Sequence, residues 1–265
     1  MRRPSEILTT EYVEPAWVVK GIIPRGTMII IAGEAGAGKS SLMYDLCYAV
    51  AAGRKFLDHQ TFPTRILYFD EENAEPDHLQ YNRWAWTAHG QQPVAEVDEW
   101  LRIGHYDLLQ GWKEPLAMTI AQFKPGLVII DTATPAFHIQ DENDNAEANR
   151  ALQDLRRIRL VSGDPALTYI ILKHERQRDD VWHRRTVRGA KTWLGAVDQV
   201  LYHTIAPGAR RRKDGTRKTR LEPDKLRAYG LGYTIGIDPQ KVGVPAKSLI
   251  LRTYQVKDDS EPDDT

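Results

Sequence analysis

Short apolar runs and amphipathic stretches alternate along most of this chain. TMIIIAG, residues 27–33, is a β-branched run with no polar face, the pattern of a strand buried on both sides of a sheet. From Ser40 the apolar residues Leu42, Met43, Leu46, Cys47 and Val50 recur at spacings of three and four, so a helix follows, with Gly53 as its stop signal. The alternation then continues. RILYFD (65–70), LRIGHYD (101–107), GLVIID (126–131), TYIILKH (168–174) and DQVLYH (198–203) read as strands, the second of them at an edge. Helices are expected at 78–89, 115–123 and 146–161, the last with Ala148, Leu152, Leu155, Ile158 and Val161 on one stripe. Strands alternating with helices predict an α/β fold, a mostly parallel sheet covered by helices on both faces. Beyond residue 204 the pattern changes. IAPGARRRKDGTRKTR (205–220) reads as a basic hairpin or mobile loop, and YTIGI and SLILRTYQV read as added C-terminal strands. The expected organisation is an N-terminal arm over 1–13, one domain over 14–256 and a disordered acidic tail over 257–265.

Composition narrows the setting. A chain of 265 residues that is 42% apolar fits one large domain. Lys plus Arg equal Asp plus Glu at 36 each, so net charge does not argue for a polyanionic partner and only local clustering can. The single cysteine excludes an intramolecular disulfide and any multi-cysteine zinc site, and it points to a reduced, cytoplasmic setting. No apolar run approaches a membrane span and the first residues lack a signal-peptide stretch, so no membrane partner is expected.

Candidate chemistry begins at GEAGAGKSS, residues 33–41. It fits G-x-x-x-x-G-K-[ST], in which glycines let successive backbone N–H groups curl around phosphate oxygens at a helix N-terminus. Gly33, Glu34, Ala35, Gly36, Ala37, Gly38, Lys39, Ser40 and Ser41 are the expected phosphate contacts, with Lys39 reaching the β and γ phosphates and Ser40 ligating magnesium. A triphosphate grip also needs a metal-positioning carboxylate at a neighbouring strand end, and Asp131 closes the run LVII. FDEEN sets Asp70, Glu71 and Glu72 at another strand end, where the ligand crevice of a parallel sheet lies, so at least one should face the nucleotide and orient water. Strand alternation would point Asp70 and Glu72 one way and Glu71 the other. His174 ends its strand in position to sense the γ-phosphate. After it, Arg176, Arg178, Arg184, Arg185, Arg188 and Lys191 are interleaved with Trp182 and His183, a mix suited to a phosphate backbone and a stacked base.

These segments, in order, resemble the RecA-like P-loop ATPases grouped with the RepA-type and DnaB-type hexameric helicases, over roughly residues 14 to 235. The resemblance implies a RecA-like core using ATP and Mg2+, with Glu72 rather than Glu71 as catalytic glutamate, Asp131 assisting magnesium and water, and His174 linking the γ-phosphate to the DNA-binding loop after it. It also implies an arginine finger from the neighbouring subunit. PDKLRAYG offers Lys225 and Arg227 for that role, with Arg188 as the other choice, since the RepA-type finger position falls on Asp198. The residues ahead of 14 are too few for the separate N-terminal domain of full-length DnaB-type helicases, so no primase-binding module is expected. The expected function is an ATP-driven motor on single-stranded DNA, a self-assembling hexameric helicase of phage or mobile-element replication. A filament-forming recombination or annealing protein and a regulatory ATPase with a protein partner fit the same motifs.

Overall fold

The computed structural model describes residues 3–11, 14–105, 111–174, 192–226, 229–243 and 246–256. A short helix α1 (Pro4–Leu8) precedes a small ribbon of β1 (Trp17–Val19) and β2 (Ile23–Pro24). Then come β3 (Met28–Gly33), α2 (Lys39–Ala51), β4 (Ile66–Asp70), α3 (Glu75–Ala88), α4 (Val94–Trp100), β5 (Leu101–Gly104) and α5 (Lys113–Phe123). The alternation continues through β6 (Leu127–Asp131), α6 (Ala133–Ala136), α7 (Asn145–Ser162), β7 (Thr168–His174), α8 (Thr192–Ala196) and β8 (Gln199–Ile205). Three strands follow, β9 (Thr219–Leu226), β10 (Ile235–Val242) and β11 (Ser248–Tyr254).

Among the described residues, the main sheet runs in the order β11-β10-β9-β8-β3-β7-β6-β4-β5. Pairing is parallel from β8 through β3, β7, β6 and β4 to β5, and antiparallel from β8 out to β11. The fold class is therefore the expected one, an α/β RecA-like P-loop core with C-terminal antiparallel strands. The two-residue period of β3 explains its unbroken apolar run. Ile29 and Ile31 enter one core with Leu42, Leu46 and Tyr68, while Met28, Ile30 and Ala32 enter the other with Leu152, Leu155 and Trp193. Both faces are covered, so the residues of both sets are apolar.

Local chemistry sets the helix ends. Asp144 caps α7 by accepting from the Ala146 amide at 2.6 Å, and Gly163 closes it in the left-handed region at φ 73. The expected stripe on this helix holds through Ile158, but Val161 is 85% exposed. Arg159 and Ser162 carry the covered face into the last turn and are both half-buried, whereas Val161 lies about 120° around the helix from Leu155 and faces away from the sheet. Helix α2 buries more than one stripe, because Tyr44, Tyr48 and Ala49 are covered as well. The basic segment 205–220 is the connection of an antiparallel β8–β9 hairpin. No helix among the described residues is long and apolar enough to cross a membrane.

Candidate nucleotide site

The loop between β3 and α2 is built by its glycines. Gly36 and Gly38 have φ of 71 and 94, a region that resists side chains. Gly33 is needed for a different reason: a Cβ there would lie 2.1 Å from the carbonyl oxygen of His203 on β8. The loop thus leads straight into the N-terminus of α2, whose first amides have no partner inside the helix and favour an anion. Lys39 is buried, and its ammonium donates to the carbonyls of Gly33 at 3.0 Å and Glu34 at 3.1 Å. Ser41 donates its hydroxyl to the Gly38 carbonyl at 2.9 Å and so braces the turn from inside. Glu34, Ala35 and Gly36 are exposed at the loop crown, Ala37 is buried, and Ser40 is half-buried.

Register aligns the other candidates. Gly33 pairs with His174 across β3 and β7, and Asp70 pairs with Asp131 across β4 and β6, so all four stand at the carboxyl ends of neighbouring strands. His174 Nε2 lies 3.1 Å from Glu72 Oε1. That imidazole is the main cause holding the Glu72 carboxyl below its ordinary range, helped by the Thr132 hydroxyl and the Lys39 charge and opposed by burial. The alternation expected for FDEEN stops at the strand end. Asp70 turns into the core, accepting from Tyr44 Oη at 2.6 Å and from the Asn73 backbone and side-chain N–H at 3.0 and 2.8 Å, whereas Glu72 follows a bend and faces His174.

Asp131 is fully buried, and burial pushes its carboxyl up to about 7, with the charges of Asp70 and Glu72 adding to the rise. The Ser40 and Tyr68 hydroxyls act in the opposite direction, the latter donating to Oδ2 at 2.8 Å. Oδ1 makes no hydrogen bond of normal geometry, although Ser40 lies close enough to favour the ionised form. A buried, unpartnered carboxylate oxygen beside a serine hydroxyl fits a divalent cation, which would also relieve the desolvation of the carboxylate. Among the described residues no cluster of three or more His, Cys, Asp or Glu offers a metal site. A magnesium ion here would therefore take Ser40 and Asp131 from the protein and complete its shell with phosphate and water oxygens.

The remaining expectations divide. Lys225 lies on β9 with its ammonium on the carbonyls at the end of α8, Leu194, Gly195 and Val197, the last at 2.8 Å. Within one subunit it ties the hairpin to that helix. Asp198 accepts from the Met28 amide at 2.9 Å and so fixes the start of β3. Arg176, Arg178, Trp182, Arg184, Arg185, Arg188 and Arg227 lie outside the described residues.

Three contributors escaped the sequence reading. Tyr68 and Tyr44 support the two strand-end aspartates, and their spacing from those residues resembled ordinary core alternation. His203 lies under the loop, 97% buried, its Nε2 sharing a 2.9 Å hydrogen bond with Thr219. Burial first, and the nearby charge of Lys39 second, push its imidazole down to about 3, so the ring is neutral. Nothing in DQVLYH distinguishes this histidine from a solvated strand end.

A comparison with curated proteins gives no match. Among solved structures the chain is similar to the KaiC-like protein PH0186 from the hyperthermophilic archaeon Pyrococcus horikoshii OT3, with a TM-score of 0.56 over 91% of this chain and 96% of that one. At 13% identity this likeness speaks to the fold. The family model AAA_25, an AAA domain, matches residues 5–180, more than half of the length and every strand that bears a site residue from Gly33 to His174, and the chain belongs to that family.

Proposed function

We propose that this chain is a magnesium-dependent ATPase that works as a RecA-like motor on single-stranded DNA, assembled as a ring of identical subunits in the manner of a hexameric replicative helicase of a phage or mobile element. One contact carries the reading, the 3.1 Å approach of His174 to Glu72. It joins a candidate base for water at the end of β4 to the last residue before the basic segment 175–191. Lys39 and the loop amides hold the phosphates, and Ser40 with Asp131 holds the metal. Magnesium supplies charge neutralisation of the phosphate oxygens. Glu72, kept ionised by His174, takes the proton of the attacking water. Arg227, next in sequence after the Lys225–Leu226 pair, is the cation assigned to a neighbouring subunit, a contribution worth roughly 10³ to 10⁵ in rate for such fingers. When the γ-phosphate leaves, the partnership of Glu72 and His174 changes, and the basic segment receives the change through β7.

ATP hydrolysis measured with and without single-stranded DNA tests this reading. DNA stimulation is expected in the native protein. Glu72→Gln should reduce turnover by about 10² or more while nucleotide still binds. Arg184→Ala with Arg185→Ala should weaken DNA binding and make its salt dependence shallower. Normal hydrolysis by Glu72→Gln overturns the assignment of the base; hydrolysis indifferent to DNA points to a regulatory ATPase. Extended filaments on DNA in electron micrographs, with strand exchange and no unwinding, point to a recombination protein.

A further inference from the structure

The β8–β9 hairpin approaches the phosphate loop from the flank opposite the catalytic row. β3 lies between β7 and β8, so His174, Asp131 and Glu72 stand on one side of it and the hairpin on the other. The base of the hairpin is fixed closely against the loop. The His203 carbonyl occupies the space a Gly33 side chain would need, and Thr219, buried on β9, is bonded to the His203 ring. Two residues before Thr219, Arg217 extends to the loop crown, where its Nη2 donates to the Gly36 carbonyl at 3.4 Å. The turn behind it is ordered: Thr216 is buried and its amide and hydroxyl both donate to Asp214 Oδ1, at 2.9 and 2.7 Å. Its carbonyl accepts from the Arg212 amide at 2.8 Å.

The geometry points to Arg217 as a nucleotide-binding residue acting within its own subunit, one that takes the α-phosphate of ATP and ADP alike. This rests on the reading of the loop as a phosphate site. A half-buried guanidinium at a long distance from a neutral carbonyl is a weak partnership, and a phosphate oxygen placed in the loop offers a charge-assisted one. The sheet order decides which phosphate. The terminal phosphate must face Glu72, Asp131 and His174 across β7, β6 and β4, so a cation arriving from β8 meets the end of the nucleotide that does not react. Arg217 therefore retains the nucleotide through hydrolysis and plays no part in the bond that breaks. Its role differs from that of the cation assigned to a neighbouring subunit, which acts on turnover.

The test uses the full chain with Mg2+ and three probes, ATP, ADP and inorganic pyrophosphate, each competing with a fluorescent ADP analogue. Arg217→Ala is expected to weaken ATP and ADP by about tenfold each, to leave pyrophosphate unchanged because it fills the β and γ seats, and to keep kcat within about twofold. Arg217→Lys should recover part of the affinity, since it restores the charge without the fork. Parallel loss of all three probes overturns the inference and makes Arg217 a brace for the loop. Unchanged ADP affinity, or a loss confined to kcat, also overturns it. If the native protein binds none of the probes, the phosphate-site reading fails and this inference with it. Thermal melts confirm that each variant is folded.

Discussion

Single side chains at this site are tuned by what lies behind them. Glu72 is kept ionised by one imidazole, while Asp131, one strand away, is driven toward neutrality by burial until a cation joins it. His203 shows the third outcome, a ring held neutral beneath the loop. Its ordinary value of 6.5 applies to the unfolded chain, which takes up a proton below that pH, whereas the folded chain declines it until about pH 3. The stability that the neutral ring contributes is thus complete above pH 6.5 and declines as the pH falls through the window, by about 1.4 kcal/mol per unit. Denaturant titrations from pH 6.5 down to about pH 4 should show this slope in the native protein and a slope shallower by one proton in His203→Gln. Equal slopes would remove the ring from the acid response.

At the scale of elements, the site depends on how closely β8 approaches the phosphate loop. Gly33→Ala forces a methyl group against the His203 carbonyl and should destabilise the fold by about 3 kcal/mol, read as a lower denaturation midpoint, with weaker nucleotide binding because the loop must shift. A variant as stable as the native protein would mean that the hairpin yields easily. The sequence announced β3, β4, β6 and β7 because burial on both faces writes an uninterrupted apolar run, and it announced the loop because only glycine serves at Gly36 and Gly38. It was silent on α4, which follows Pro93 and buries only Val97, too few positions to show a period. It misjudged Val161 because successive steps of three drift around the helix, and two such steps beyond Leu155 leave the covered face, which Ser162 continues instead. The direction of Asp70 was unreadable for the same kind of reason: alternation describes a strand, and the strand stops there.

For the whole molecule, the proposed function divides the catalytic row and the cation that completes it between different copies of the chain. Lys39→Ala subunits lack the phosphate grip and Arg227→Ala subunits lack the finger, so each preparation alone should be nearly inactive. Mixing them in equal amounts should restore about a quarter of the native rate, because that fraction of junctions joins an intact loop to an intact finger. No recovery, with both proteins shown to assemble together, would place the completing cation within the same subunit. The position of the single cysteine makes the hairpin and the phosphate loop easy to label. Cys47 is buried in the middle of α2, and burial raises its thiol far above the range in which it reacts. The native chain is therefore a silent background for thiol-directed dyes: one cysteine introduced at exposed Arg211 and another at exposed Glu34 would report hairpin and loop separation by fluorescence, with no native residue to remove first.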